Sequence, residues 1–206
     1  MSAARLAVPP GRAGRLWLER RLQVAHRGAS LLDRKLRILQ NELDRLRGAA
    51  GQTAREWESS CADADRWLLR AALLGGQRAI RLSGGGQPAD VTISYAVTVG
   101  SRHPADATCD IPEPDRWEGP ALARARQAHR AALAAAVRHA VAMEALRVIE
   151  AETLITRYRL RAIRDRWIPR LEQALAEVTF AVEEQERADG ARLRLAVGSA
   201  LPAGRR

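Results

Sequence analysis

From Leu18 to Leu74 the chain avoids charge at every fourth and then third residue. The series is Leu18, Leu22, Ala25, Ala29, Leu32, Leu36, Leu39, Leu43, Leu46, Ala50, Thr53, Trp57, Ser60, Ala64, Trp67, Ala71 and Leu74. Charged residues make up 28% of the sequence, so an unbroken uncharged series of this length marks a coiled-coil seam. A helix of that span would run about 85 Å at about 1.5 Å per residue, longer than helices in compact domains, and it needs a partner of equal length.

The same four-three alternation returns at Ala121, Ala125, Ala128, Ala132, Ala135, His139, Ala142, Leu146, Ile149, Thr153, Thr156, Leu160, Ile163 and Trp167. The two arms predict a mainly α fold, a long antiparallel two-helix coiled coil with a small β-hairpin at the turn end. The expected organisation is one rod-like domain over 1–206: a first helix at 12–75, a linker with the hairpin at 76–116, a second helix at 117–188 and a loose tail at 189–206. Residues before Gly14 lack periodicity and hold Pro9 and Pro10.

In such a hairpin, partner numbers sum to roughly 195. Trp57 and Trp67 then face the neighbourhoods of His139 and Ala128, large residues against small ones, while Leu46 meets Ile149 and Leu36 meets Leu160. Gly48 and Gly51 each weaken a helix by about 1 kcal/mol relative to Ala, yet the register passes through them unshifted. Gly75, Gly76 and Gly84 to Gly86 are expected to end the arm. Val91, Ile93, Tyr95, Val97 and Val99 then alternate as a strand, Gly100 to Pro104 turns the chain, and Thr108 to Ile111 forms a shorter return strand.

Two features go beyond a plain rod. Trp17, Val24, Leu31 and Ile38 repeat every seven residues one place ahead of the seam, a second apolar edge. It reads either as a broadened core stripe or as a contact with a surrounding protein. After Trp167 the seam continues at Leu171, Ala174, Val178 and Ala181, so two steps of four replace four-three. That stutter coincides with Pro169, which removes a helical hydrogen bond and predicts a kink.

Composition narrows the chemistry. The net charge is +10, which ordinarily raises nucleic acid or an acidic membrane surface as partners. Lys35 is the sole lysine, however, and nearly all the positive charge is arginine in an Ala-, Arg-, Gly- and Pro-rich sequence, which dilutes that signal. No run is long and apolar enough for a membrane span, and the first residues lack a signal-peptide core, so a cytoplasmic protein is expected. Cys61 and Cys109 are too few for a disulfide framework or zinc site. The triple glycine precedes Gln87 and Pro88 instead of the Lys-Ser/Thr of a phosphate loop. His26, His103, His129 and His139 are scattered, and no catalytic, cofactor or metal site is expected; His139 reads as a packed seam residue.

The segment from Thr156, TRYRLRAIRDRWIPRLEQAL, resembles the carboxy-terminal helix of the D subunits of V-type and A-type rotary ATPases. The resemblance is carried by Thr156, Arg157, Arg159, Ala162, Ile168, Pro169, Arg170, Leu171 and Glu172. The opening of the first arm is similar to that family through Leu18, Arg20, Arg21, Leu22, Ala25, Gly28, Leu31, Leu32, Lys35 and Glu42. Arg161 and Arg164 depart from the family's more frequent Asn and Glu. The stretch DGARLR follows the acidic Glu183 to Glu186 patch in place of a phenylalanine-rich one.

The resemblance implies a non-catalytic rotor shaft of a proton- or sodium-translocating ATPase or ATP synthase, without cofactors and peripheral on the membrane through the assembled complex. Both terminal regions would sit inside a head of A and B subunits, which holds the nucleotide sites. The F subunit and a C/d-type adaptor over the membrane ring would be further partners, with no nucleic acid and no membrane insertion. Arg12, Arg20, Arg21, Arg159, Arg166 and Arg170 are the candidate bearing contacts. A generic coiled-coil tether shares the seam but gives no reason for the Pro169 stutter. An arginine-rich nucleic-acid binder would need its charge gathered on one face.

Overall fold

The computed structural model describes residues 6–83, 88–112 and 119–200, with side chains described to Val197. Helix α1 spans Gly11–Ser83, strands β1 and β2 span Asp90–Thr98 and Ser101–Asp110, and helix α2 spans Pro120–Arg161. A π-helical turn, Ala162–Trp167, leads into α3 at Ile168–Ala200. The chain divides into two compact units, one from Met1–Arg34 with Thr156–Arg206 and the other from Lys35–Ile155.

In the middle unit, Leu39, Leu43, Leu46, Ala145 and Ile149 form a buried cluster edged by Leu146. Leu39 and Ile149 are fully enclosed. Leu46 and Ile149 share this cluster, as the register expected. Further along, Ala64, Ala128 and Ala132 are buried under Cys61 and Trp67, so large side chains fill the space that alanines leave. Trp57 stays 38% exposed while its ring stacks on His139 at 5.4 Å and 23°. Thr53 Oγ1 sits 3.1 Å from His139 Nδ1, so a hydroxyl and an indole occupy the histidine that the seam carries. Lys35 joins Glu152 at 2.7 Å, with about a quarter of each side chain exposed. Leu46 with Ile149, Trp57 with His139 and Thr53 with His139 follow a partner sum near 195, as one antiparallel register requires, whereas Lys35 reaches about two turns along the partner arm to Glu152.

The helix passes through Gly48 and Gly51 and breaks at Gly76, whose φ of 71 and ψ of 165 lie outside the helical region. Such a φ favours glycine. Helical turns then resume to Ser83 instead of stopping at 75, because Arg78, Ala79, Arg81 and Leu82 are competent helix formers. Arg126 donates to the Ser83 carbonyl at 3.3 Å, satisfying a carbonyl that the helix end leaves open. The expected stop at Gly84 to Gly86 and the expected helix start at 117 lie outside the described residues.

The hairpin differs from the sequence expectation in its turn. Thr98 pairs with Ser101, leaving Val99 and Gly100 as a two-residue loop with φ of 49 and 85, the geometry that matches strand twist. The return strand therefore starts at Ser101, not Thr108. Pro104 sits inside it because a bulge displaces Ala105: Ser94 pairs with Asp106 while Tyr95 pairs with Pro104. A bulge is where a strand tolerates a residue without an N–H. His103 is buried, with Nε2 3.0 Å from Thr98 Oγ1 and Nδ1 3.1 Å from the Pro104 carbonyl.

In the terminal unit, Leu18, Ala25 and Ala29 of α1 are buried, as are Thr156, Leu160, Ile168, Leu171 and Val182 on the returning chain. Asp33 receives Arg164 at 3.2 Å and Glu186 receives Arg12 at 2.6 Å, again an antiparallel register. The segment before α1 crosses over Gly14, where a Cβ would lie 2.0 Å from the Pro9 carbonyl oxygen. Only glycine fits under that crossing.

The stutter takes a specific form. After Leu160 the buried positions are Ile168, Leu171 and Val182, with Leu175 and Val178 half-buried. Each lies one residue beyond where the heptad would have continued. Ala181, expected on the seam, is exposed and Val182 replaces it. One surplus residue is absorbed in the π turn, where the Ile168 N–H donates to the Ile163 carbonyl, five residues back instead of four. The following residue is Pro169, which has no N–H to donate, so the wide turn ends where the helix already lacks a donor. Helix α3 then continues to Ala200 beyond the expected limit at 188. Ion pairs such as Arg187 with Glu183 and Glu184, and Arg192 with Asp189, lie one helical turn apart and support it.

Candidate functional site

The terminal unit leaves part of its apolar surface uncovered by its own packing. Val24 is 68% exposed and Leu31 58% exposed, while Trp17 is half-buried. Ile38, the last member of the second apolar edge, is exposed in the middle unit. The edge is therefore surface, not a broadened core stripe.

Trp17 and Trp167 flank one cation. The Arg21 guanidinium carbon lies 4.6 Å from the Trp17 ring centroid and 5.7 Å from that of Trp167, so the side chain is held by two π faces. Beside it runs a groove of roughly 480 Å³ whose lining includes Trp17, Arg20, Arg21, Val24, Gly28 and Trp167. Trp167 is the last residue of the π turn, so the surplus residue and the groove coincide.

The six candidate arginines divide. Arg12 is occupied by Glu186 through both Nε and Nη2, and Arg21 is stacked as above. Arg20, Arg159, Arg166 and Arg170 make no ion pair among the described residues; the first three are exposed and Arg170 is half-buried. The stretch from Arg157 to Arg170 holds six arginines against the single acid Asp165. Of the seam candidates, Leu18, Leu39, Leu43, Leu46, Ile149, Leu160 and Leu171 are buried. Leu22, Leu32, Leu36, Trp67, Leu146, Ile163 and Trp167 are half-buried, and Pro169 is exposed. The sequence reading missed the Arg21 sandwich, although Trp17 and Arg21 stand one helical turn apart. It also missed the Arg12–Glu186 pair, for which a separation of 174 residues gives no local signal.

Among the described residues no group of three histidine, cysteine or acidic side chains is placed to hold a metal ion, and no helix is long and apolar enough to cross a membrane. The shifted carboxylates are structural. Arg45 donates to both oxygens of Glu42, at 2.9 and 2.6 Å. That hydrogen bonding is the main reason the Glu42 carboxyl is held below its ordinary range; burial opposes it, and the charges of Arg45 and His103 assist. Glu144 is lowered by Arg147 in the same way.

Helical arms packed antiparallel within each unit, with a two-stranded hairpin between α1 and α2, define a helical-hairpin class of protein. The chain belongs to the ATP synthase D-subunit family, whose model matches residues 16–197 and so runs through both arms and the hairpin. It is thereby a member of the family that supplies one component of ATP synthase complexes. No curated protein matches the chain.

Proposed function

We propose that the chain is the non-catalytic central-stalk component of a V/A-type ATPase or ATP synthase, carrying torque between a nucleotide-hydrolysing head and an ion-translocating membrane ring. The observation that carries this reading is the family match over 16–197. In this reading the terminal unit sits within a head of A and B subunits, and the F subunit and a C/d-type ring adaptor bind elsewhere. The protein is cytoplasmic and reaches the membrane only through the complex.

Exposed arginines support a bearing at the head. A shaft must be held without being locked, and attraction between solvated charges is weak and screened, so it permits sliding where deep apolar anchoring would not. Arg20, Arg159, Arg166 and Arg170 are the bearing residues best placed for this, because no acid of the described chain neutralises them. The leucine cluster of the middle unit supplies stiffness, and the π turn before Pro169 gives the shaft a local asymmetry.

The test is reconstitution. The pure chain should hydrolyse no ATP, and a complex assembled without it should lose ATP-driven ion pumping. Turnover that follows the pure chain through further purification would overturn the reading. Pro169→Ala should keep helical content and alter the ratio of ions pumped to ATP hydrolysed; an unchanged ratio removes the proline from the mechanism.

A further inference from the structure

We propose that the groove beside the π turn is a docking site for an acidic polypeptide segment that inserts one large apolar side chain against Trp17, Val24 and Trp167 and sets flanking carboxylates on Arg20 and Arg21. The inference deepens the head reading above by stating what chemistry a partner must offer to this part of the terminal unit.

Several independent features converge on the groove. Its volume of roughly 480 Å³ exceeds what a single side chain needs and falls in the range of ordinary binding clefts. Its apolar wall is not covered by the chain itself, since Val24 is 68% exposed. The floor is open at Gly28, where an added Cβ would meet nothing within 4 Å. A glycine in the interior of a helix is unfavourable relative to alanine, and here no packing neighbour explains it.

Charge decides the class of occupant. Arg20 has no acidic partner among the described residues, and Arg21 is fixed by two tryptophans instead of by a carboxylate. Its guanidinium is therefore positioned and still lacks an anion. The exposed Arg166 stands just before Trp167 and extends the same field, while Arg164 is taken up by Asp33. A nucleic acid would seek open aromatic faces for stacking, but the guanidinium already lies over a face of each indole. What remains is an apolar trough with a cationic rim, which suits a leucine or phenylalanine between acidic neighbours. The π turn that brings Trp167 to the groove is itself a departure from regular helix of the kind found at functional sites.

The test uses the full-length chain and fluorescein-labelled synthetic peptides, read by anisotropy at low salt. The probe is a peptide of aspartate and glutamate around one central leucine; the comparison peptides replace the leucine with glycine or every acid with lysine. The leucine peptide should bind, the glycine peptide roughly tenfold more weakly, and the lysine peptide not at all. Gly28→Leu should fill the groove and weaken the leucine peptide by about tenfold, while circular dichroism shows an unchanged or higher melting midpoint. Arg20→Glu with Arg21→Glu should abolish binding. Equal binding of the leucine and glycine peptides, or full binding by Gly28→Leu, would overturn the proposal. So would tighter binding of an oligothymidylate with the same sensitivity to both variants, which would make the groove a nucleic-acid site. The titration uses the chain alone, so its outcome is independent of assembly; co-purification with A and B subunits decides the head reading separately.

Discussion

The two units follow one pairing rule and put it to different uses. In the middle unit the seam is closed: Leu39 and Ile149 are sealed, Trp57 and Thr53 enclose His139, and Lys35 finds Glu152. In the terminal unit the seam closes over Leu18 and Leu171, but Val24, Leu31 and arginines with no ion pair among the described residues remain outside it. The coiled-coil register thus accounts for cohesion, whereas whatever the chain binds is read from the residues the register leaves over. The π turn lies within the terminal unit and retains one residue more than packing requires.

Deleting one residue from each unit should give the largest contrast. Removing the exposed Ala151 from α2 would rotate the residues on one side of it by about 100°, taking the Ala145–Ile149 face out of register with Thr153. The expected loss is several kcal/mol, as for multiple core truncations. Removing Ala162 from the π turn instead leaves Ile168, Leu171, Leu175, Val178 and Val182 facing inward, now on a regular α-helix. Stability should be unchanged or rise by about 1 kcal/mol. Urea denaturation of both variants measures this, and equal losses would show that the π turn does not carry a surplus residue.

A single truncation probes the same contrast. Leu39→Ala should cost about 3 kcal/mol because the side chain is wholly enclosed. Val24→Ser, on the exposed edge, should change the unfolding free energy by less than about 0.5 kcal/mol. A large loss at Val24 would mean that the edge belongs to the fold.

Much of this was legible in the sequence, and the exceptions have definite causes. The heptads of Leu39, Leu43, Leu46 and Ile149 disclosed both arms and their register because uncharged spacing is a local, additive signal. The stutter after Ile163 was visible too, but two steps of four describe a kink, a drift or a surplus residue equally well. Only the burial of Val182 in place of Ala181 distinguishes them. Pro104 looked like a turn residue because a bulge that tolerates proline inside a strand depends on the partner strand, and Val99 gave no warning that it would take a positive φ. At the candidate site the second apolar edge was plain from its seven-residue repeat. The Arg21 sandwich needed Trp167 from the far arm, and the neutralisation of Arg12 needed Glu186. Contacts across the hairpin follow from the register only after the π turn's extra residue is counted.

A smaller effect is expected within the middle unit. Glu42 has a folded pKa lowered by Arg45, so its contribution is present above the unfolded value near 4.3 and is lost as pH falls through the lower folded value. Arg45 is largely exposed, with 63% of its side chain accessible, so the contribution is below about 1 kcal/mol. Arg45→Met should remove a small part of the stability at neutral pH. Once the pH falls below the lowered folded value, so that Glu42 is protonated in both proteins, the two unfolding curves should approach each other. A difference that grows on acidification would contradict the pair's assignment.

In the proposed reading the terminal unit is the part that meets the head. The decisive measurement is hydrogen exchange of the full-length chain, alone and assembled with A and B subunits. Assembly should add protection along Trp17 to Leu31 and Arg157 to Arg170 and leave Leu39 to Leu46 and Ala145 to Thr153 unchanged. Protection gained only in the middle unit, or in neither unit of a complex that has demonstrably formed, would contradict this division of labour.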